Sequence, residues 1–529
     1  MTGIAILLVA ASLGFGLSRA LSLPAIPFLI LAGFTVSLIG GLELEFLQDA
    51  LVLGITFLVF VAGVELNPDR IRQQKRAVLI VGVVQFLTLG SLGFAASTLL
   101  GFDRQAAIYM ALALTASSTL VAVRILQQRR QLFEPFGRLI IGVLLLQDLL
   151  VILLIPVLTG MPDGWEAVAR GLGGTLLLMA LAWVLLRAVL PELLRRLALD
   201  EELLLLVVLS LLFGFLFLAD RLGAPLVAGA FVAGVALSSF PVNGVVRGQL
   251  ASIGDFFTAI FFTALGAALG IPTVGELVAA LVLALVVLVL TPPLVAWIAE
   301  RAGFSARPAI LAGLILSQTS EFSLVVALQG VVLEQIAPRT FNVIVLVTVA
   351  TMMLTPLLAS DRVSLLLMRF HPSRRRKGSE DPPRDHVLLL GCGSSGMPLL
   401  ETLVISPHKV VAVDDDPQVV EQVRSAGVDI FRGDAGDVAM LNRAGAHQAR
   451  VVISTVRRVQ DNEQLLEVAK DVPVLVRAFS DEDADWVRAR GGTAVLYADA
   501  AAEGFLEWFD RGGWETEDEL EDEEMEEVL

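Results

Sequence analysis

The sequence predicts an all-α membrane bundle of thirteen spans, with inverted repeats and two discontinuous crossing helices, followed by a Rossmann-like α/β domain. Three observations predict it. Apolar runs of about 20 residues, the length that crosses a bilayer, fill residues 1–370. Two of those runs are interrupted at their centres by hydroxyl and amide side chains. After residue 384 the pattern changes to short apolar strands alternating with helices, and a glycine-rich turn follows the first strand.

Composition agrees with a membrane protein. Of 529 residues, 56% are hydrophobic and only 17% charged, and mean hydropathy is +0.78. The formal charge of −16 comes mostly from the end of the chain, because residues 515–527 hold ten carboxylates and no base. A basic run, Arg369-Phe-His-Pro-Ser-Arg-Arg-Arg-Lys377, directly follows the last apolar stretch. There it marks a cytoplasmic membrane face, and no fold or motif supports nucleic acid as a partner. The single cysteine, Cys392, excludes an intrachain disulfide.

The spans are drawn at 2–18, 24–40, 48–66, 77–100, 105–126, 136–159, 168–190, 202–219, 224–240, 251–270, 274–297, 307–332 and 340–367. The start lacks the basic region of a signal peptide and reads as a retained first span. Backbone groups must be paired in lipid, so these runs are helices, or broken helices sheltered by protein. Odd-numbered loops collect the bases: Arg70, Arg72, Lys75 and Arg76; Arg129, Arg130 and Arg138; Arg195 and Arg196; Arg247; Arg301 and Arg307. Even-numbered loops are poor in them. The positive-inside rule then sets the N-terminus outside and the C-terminal domain in the cytoplasm.

Charge inside a span is costly and is by default a functional candidate. Asp148, beside Gln147, lies mid-span in Gly142-Val-Leu-Leu-Leu-Gln-Asp-Leu-Leu-Val-Ile152. A carboxylate there can hold a proton or a metal ion but not easily both, which is the minimal chemistry of cation/proton exchange. Its bland alternative is a structural aspartate paired with a neighbouring helix. Span 5 contains Leu114-Thr-Ala-Ser-Ser-Thr-Leu-Val121, with Ser117, Ser118 and Thr119. Span 12 contains Leu316-Ser-Gln-Thr-Ser-Glu-Phe-Ser-Leu324, with Gln318, Ser320 and the second intramembrane carboxylate, Glu321. Such clusters are either interhelical glue or breaks that line an ion site. Each is the fifth span of a group of six, which points to inverted repeats about a midplane site. Span 11 has no interior lysine or arginine.

At these residues the chain resembles the monovalent cation:proton antiporter-2 family, especially its Kef-type potassium/proton members. The likeness is carried by Phe60-Val-Ala-Gly-Val-Glu-Leu66, Ala116-Ser-Ser-Thr119, Leu146-Gln-Asp-Leu149, Ser317-Gln-Thr-Ser-Glu-Phe322 and Ala228-Gly-Ala-Phe-Val-Ala-Gly-Val235. The resemblance implies a homodimer in the inner membrane, with Asp148 binding H⁺ or the transported cation and spans 5 and 12 as the crossing broken helices. Electrogenic sodium/proton relatives carry two aspartates in span 6 and a lysine in span 11. Gln147-Asp148 without that lysine implies electroneutral exchange, with K⁺ favoured over Na⁺. Glutathione-gated members carry an acidic loop before span 10. Here that region reads Val246-Arg-Gly-Gln-Leu-Ala-Ser-Ile-Gly-Asp255 and lacks the acidic cluster.

A basic linker is drawn at 371–384, a Rossmann-type domain at 385–511 and a solvated acidic tail at 512–529. Strands are expected at 386–391, 409–414, 428–433, 450–454, 473–479 and 493–498. Gly391-Cys-Gly-Ser-Ser-Gly396 stands between a strand and a helix, with an acid, Asp414, about 20 residues on, which is a dinucleotide fingerprint. Gly391, Gly393 and Gly396 would let the backbone approach phosphate, and Asp414 would bind ribose hydroxyls. This part resembles a TrkA-N, or regulator of potassium conductance, domain; the likeness implies that Asp434 faces the adenine or its ribose. The ligand implied is an adenine nucleotide acting as a regulator, whether NAD(H), AMP or ATP. Cys392 is either a redox sensor or a small buried residue of the turn. No arrangement of catalytic nucleophiles is present, so an enzyme is not expected. A nucleotide-gated potassium channel, or an efflux system of non-antiport mechanism, is the alternative; Thr273-Val-Gly-Glu276 begins like a channel filter and breaks at the glutamate.

Overall fold

The computed structural model describes residues 2–40, 42–65, 75–132, 134–185, 187, 201–238, 243–370, 382–393 and 395–510. Arg70 and Arg72 of the third loop, Arg195 and Arg196 of the seventh, the Arg374–Lys377 run and the acidic tail lie outside the described residues. The chain divides into two compact units, one holding the apolar helices and the other the sheet.

The membrane unit begins with α1 (Thr2–Leu21), α2 (Ala25–Ile39), α3 (Leu44–Glu65) and α4 (Lys75–Leu99). The fifth span is a pair, α5 (Arg104–Ala113) and α6 (Thr119–Gln128), separated by five non-helical residues. There follow α7 (Pro135–Gly160), α8 (Trp165–Val184), α9 (Glu201–Leu222), α10 (Leu226–Ser238), α11 (Asn243–Ala267) and α12 (Val274–Arg301). A second pair, α13 (Ala306–Leu316) and α14 (Glu321–Val332), is followed by α15 (Pro338–Leu358) and α16 (Asp361–Phe370). Among the described residues, nine helices or helix pairs are long and apolar enough to cross a membrane. The last predicted span, 340–367, is corrected. Its helix ends at Leu358, and a turn at Ala359–Ser360 separates it from α16, which carries Asp361 and Arg362 in its first turn.

Thr273 also has a local role. Its side chain caps α12, accepting from the Glu276 amide at 3.3 Å, while the Glu276 carboxylate accepts from the Thr273 amide at 2.9 Å. That reciprocal capping box makes the filter-like stretch a helix start.

Two of the sequence motifs meet. A Cβ on Gly63 of α3 would lie 2.4 Å from the Phe231 carbonyl oxygen of α10, and one on Gly234 would lie 2.1 Å from that of Phe60. Backbones this close need small residues on both helices, the usual basis of helix packing in lipid.

The second unit is a six-stranded parallel sheet in the order β3-β2-β1-β4-β5-β6. The strands are β1 (Val387–Leu390), β2 (Val410–Asp414), β3 (Asp429–Arg432), β4 (Val451–Ser454), β5 (Val474–Ala478) and β6 (Thr493–Leu496). All six match the expected runs. β1 and β2 are buried along their whole length, as continuous apolar strands covered on both faces must be. The strand order reverses between β1 and β4, so the ligand crevice of such a sheet opens beyond the carboxyl ends of those two strands.

Candidate functional site

The two helix breaks face each other, and each satisfies the other's backbone. Leaving a helix frees carbonyls and amides that lipid cannot pair. The Leu316 carbonyl at the end of α13 accepts from the Ser117 hydroxyl at 2.8 Å. The Ala113 carbonyl at the end of α5 accepts from the Ser323 hydroxyl. The Gln318 side-chain Nε2 donates to the Ser118 carbonyl at 3.5 Å. Side chains from other helices complete the pairing. The Ser117 amide donates to Gln147 Oε1 of α7 at 3.0 Å, and the Thr319 amide to Thr351 Oγ1 of α15 at 3.2 Å. The Thr355 hydroxyl donates to the Ser317 carbonyl at 3.0 Å.

Asp148 sits near the middle of the 26-residue α7 and is 6% exposed. Its Oδ2 accepts from the Thr119 hydroxyl at 3.1 Å, at the N-terminal end of α6. Glu321 is the first residue of α14, is 5% exposed, and has the hydroxyls of Ser118 and Ser320 as partners. Both carboxylates therefore lie where a half-helix presents its positive end, which favours negative charge there. Glu65, at the end of α3, is within electrostatic reach of both. Several buried atoms have no hydrogen-bond partner among the described residues: Asp148 Oδ1, Glu321 Oε2, Gln318 Oε1, Gln147 Nε2 and Gln85 Oε1. Four of these five are acceptors. A buried surplus of oxygen acceptors beside two carboxylates is chemistry for a proton or a cation.

Ser117, Ser118, Thr119, Gln147, Asp148, Gln318, Ser320 and Glu321 are thus brought together. Sequence reasoning missed Gln85 of α4 and the α15 threonines Thr348, Thr351 and Thr355. Only one signal could have found the threonines: their spacing, which puts three hydroxyls along one stripe of a helix.

In the second unit the glycine-rich turn joins β1 to α17 (Gly396–Ile405). Gly391 has φ +81, a left-handed value that suits glycine. A Cβ on Gly396 would lie 2.0 Å from the Gly391 carbonyl oxygen, whereas one on Gly393 would meet nothing within 4 Å among the described residues. The turn is closed on its inner side and open on its outer side. Asp414, at the end of β2, accepts from the Cys392 amide at 2.6 Å and the Asp416 amide at 2.8 Å. One bond on each carboxylate oxygen leaves acceptor capacity on both. Burial raises its pKa, and those two amides oppose the rise. The Gly433 amide donates to the Asp414 carbonyl at 3.0 Å, which brings Asp434 to the same edge. Burial also raises the Asp434 pKa, and its Oδ1 accepts from the Gly436 amide at 2.8 Å. These residues fit a nucleotide: an open glycine turn at a helix start, with carboxylates at the ends of the adjoining strands. Cys392 is fully buried, and burial, reinforced by the Asp414 charge, pushes its thiol up to about 12. It stays protonated at neutral pH, so the redox-sensor reading gains no support.

Comparison with known proteins agrees with both units. Residues 4–360 match the transmembrane sodium/hydrogen exchanger family, and residues 387–507 match the TrkA-N domain. The glutathione-regulated potassium-efflux system protein KefC of Enterobacter sp. (strain 638) is 30% identical over 431 residues, covering 79% of this chain and 69% of the relative. Its counterpart in Shigella flexneri serotype 5b (strain 8401) is 29% identical over the same shares. The sodium proton antiporter MjNhaP1 of Methanocaldococcus jannaschii has the same fold, with a TM-score of 0.53 and 16% identity over 70% of this chain and 99% of that one. These relatives are transporters, not enzymes. The chain therefore belongs to the sodium/hydrogen exchanger family, as a multi-pass, Kef-type cation:proton antiporter with a C-terminal TrkA-N domain.

Proposed function

We propose that this antiporter exchanges K⁺, in preference to Na⁺, for H⁺ and moves no net charge. The observation that carries this reading is Asp148: a buried carboxylate, mid-helix, with one oxygen unpartnered among the described residues and a neutral amide, Gln147, as its neighbour. One carboxylate exchanging one proton for one monovalent cation balances charge. Cation binding at Asp148 displaces the proton on one side of the membrane, and protonation expels the cation on the other. Glu321 belongs to the same pathway. The hydroxyls of Ser117, Ser118, Thr119 and Ser320 and the amides of Gln147 and Gln318 supply neutral oxygens. The potassium-efflux relatives support K⁺.

The protein works as a homodimer with its N-terminus outside and its TrkA-N domain in the cytoplasm, the division at 1–370, 371–384, 385–511 and 512–529 being that of transporter, linker, regulator and tail. An adenine nucleotide regulates it, with its phosphates on Gly391, Gly393 and Gly396, its ribose on Asp414 and its adenine side at Asp434. The relatives named for glutathione regulation do not extend that property to this chain, since residues 246–255 lack an acidic cluster.

Proteoliposomes with an acidic lumen are the test. External K⁺ is expected to alkalinise the lumen, Na⁺ to do so more weakly, and Rb⁺ to follow K⁺. An imposed membrane voltage is expected to leave the rate unchanged; strong acceleration by voltage refutes electroneutrality. Calorimetry of the full chain with NADH, NAD⁺, AMP and ATP tests the regulator. At least one is expected to bind, and Asp414→Ala to weaken it by about tenfold, the worth of a hydrogen bond to a charged group. Undiminished binding in that variant removes Asp414 from the site.

A further inference from the structure

We infer that Gln85 of α4 is a specificity-determining residue of the exchange site, its side-chain oxygen serving as a neutral ligand for the dehydrated cation. The inference rests on the antiport reading above. Gln85 is fully buried, and α4 brings it to the first break by close helix contact. A Cβ on Gly82, one turn earlier, would meet Leu146 of α7 at 2.8 Å, and one on Gly142 would meet Val78 of α4 at 2.5 Å. Val78, Gly82 and Gln85 share one face at helical spacing, so the face that touches α7 also carries the amide.

The hydrogen-bond network fixes which way that amide points. The Ser117 hydroxyl spends its one hydrogen on the Leu316 carbonyl, so it can only accept from Gln85. Gln85 therefore turns its Nε2 to Ser117 Oγ, at 3.5 Å, and its Oε1 away. That oxygen is buried with no partner among the described residues. An apolar side chain of the same size would avoid the desolvation cost of an unmatched carbonyl. The unmatched oxygen is therefore a cost set against the single hydrogen bond that Nε2 makes to Ser117. On the other side of Ser117, its amide holds Gln147 Oε1, next to Asp148. Gln85 is thus one shared residue away from the Gln147-Asp148 pair. Like Gln318 Oε1, Asp148 Oδ1 and Glu321 Oε2, its oxygen is a buried acceptor without a partner among the described residues, against one such donor beside Asp148, Gln147 Nε2. No buried donor is needed if a cation takes their place.

The experiment compares Gln85→Met and Gln85→Glu with the wild type in proteoliposomes, titrating K⁺ and Na⁺ and reading lumenal pH, with thermal stability in detergent as the folding control. Gln85→Met keeps the volume and removes the oxygen. It is expected to raise the KM for K⁺ about tenfold, to narrow the K⁺/Na⁺ difference and to leave the maximal rate nearly unchanged. Gln85→Glu keeps an oxygen in place and loses the N–H to Ser117. It is expected to retain the wild-type KM or lower it. If Gln85 only holds Ser117, both variants raise KM alike, and that result overturns the inference. So does a Gln85→Met protein with wild-type KM and ion preference. Absence of K⁺-driven alkalinisation in the wild type is a different failure, since it overturns the antiport reading first.

Discussion

Asp148→Asn is expected to reduce K⁺-driven proton movement to the level of empty liposomes while leaving the protein folded and inserted. The substitution changes charge without changing shape. The asparagine carbonyl can accept the Thr119 hydroxyl as Asp148 Oδ2 does at 3.1 Å. Its amide takes the place of Oδ1, which has no partner among the described residues, so little packing or hydrogen bonding is lost. What disappears is the exchangeable proton and the negative charge that competes for it. At about 4 Å and an effective dielectric of about 20, an ion pair is worth roughly 4 kcal/mol, about a thousandfold in cation affinity. Glu321→Gln is the necessary companion. Glu321 lies at the start of α14, held by hydroxyls, and its loss is expected to slow exchange without ending it. If Asp148→Asn still exchanges and Glu321→Gln does not, the two roles are reversed. Loss of folded protein is checked by size exclusion of the detergent-extracted chain.

The parts of this site that were legible in the sequence are those whose physics is local. An apolar run of bilayer length declares a helix, and a run of hydroxyls within it declares a break, because freed backbone groups need partners nearby. A carboxylate in such a run stands out by cost alone. The six strands and their glycine turn were legible for the same reason: Gly391 and Gly396 solve a problem of φ and contact within six residues. What was not legible depends on partners distant in the chain. Gln85 finds Ser117 across 32 positions, Thr351 finds Thr319 across 32, and Ser117 finds Leu316 across 199. Each looks like a lone polar residue in an apolar helix until its partner is known. The end of span 13 was misplaced for the opposite reason. The apolar Val363 and Leu365–Leu367 of α16 continue the hydropathy of α15 after the helix itself has turned.

Gly234→Ala is expected to cost more stability than alanine at any other glycine of α3 or α10. The added Cβ would lie 2.1 Å from the Phe60 carbonyl oxygen and 2.8 Å from the Gly63 Cα. Neither is the far end of a flexible side chain; both are backbone within a helix. The helices α3 and α10 would have to separate, and Gly63, whose own Cβ position is 2.4 Å from the Phe231 carbonyl, would lose the contact it was small enough to make. Overpacking of a filled interior costs about 1–3 kcal/mol, and a clash between two rigid backbones belongs at or above the top of that range. Thermal unfolding in detergent, followed by size exclusion, is the measurement, with Gly214→Ala as control. Gly214 of α9 has nothing among the described residues within 4 Å of its Cβ position, and alanine there removes a helix-weakening glycine, so its melting temperature is expected to hold or rise. Equal melting of the two variants would mean that α3 and α10 are not in backbone contact. The consequence reaches function as well. Glu65 follows Gly63 by two residues and lies within electrostatic reach of Asp148 and Glu321, so a displaced α3 also changes the field at the exchange site. Reduced exchange in the fraction of Gly234→Ala that survives reconstitution is therefore expected, and the Gly214→Ala protein, with its helix contacts intact, should exchange as the wild type does.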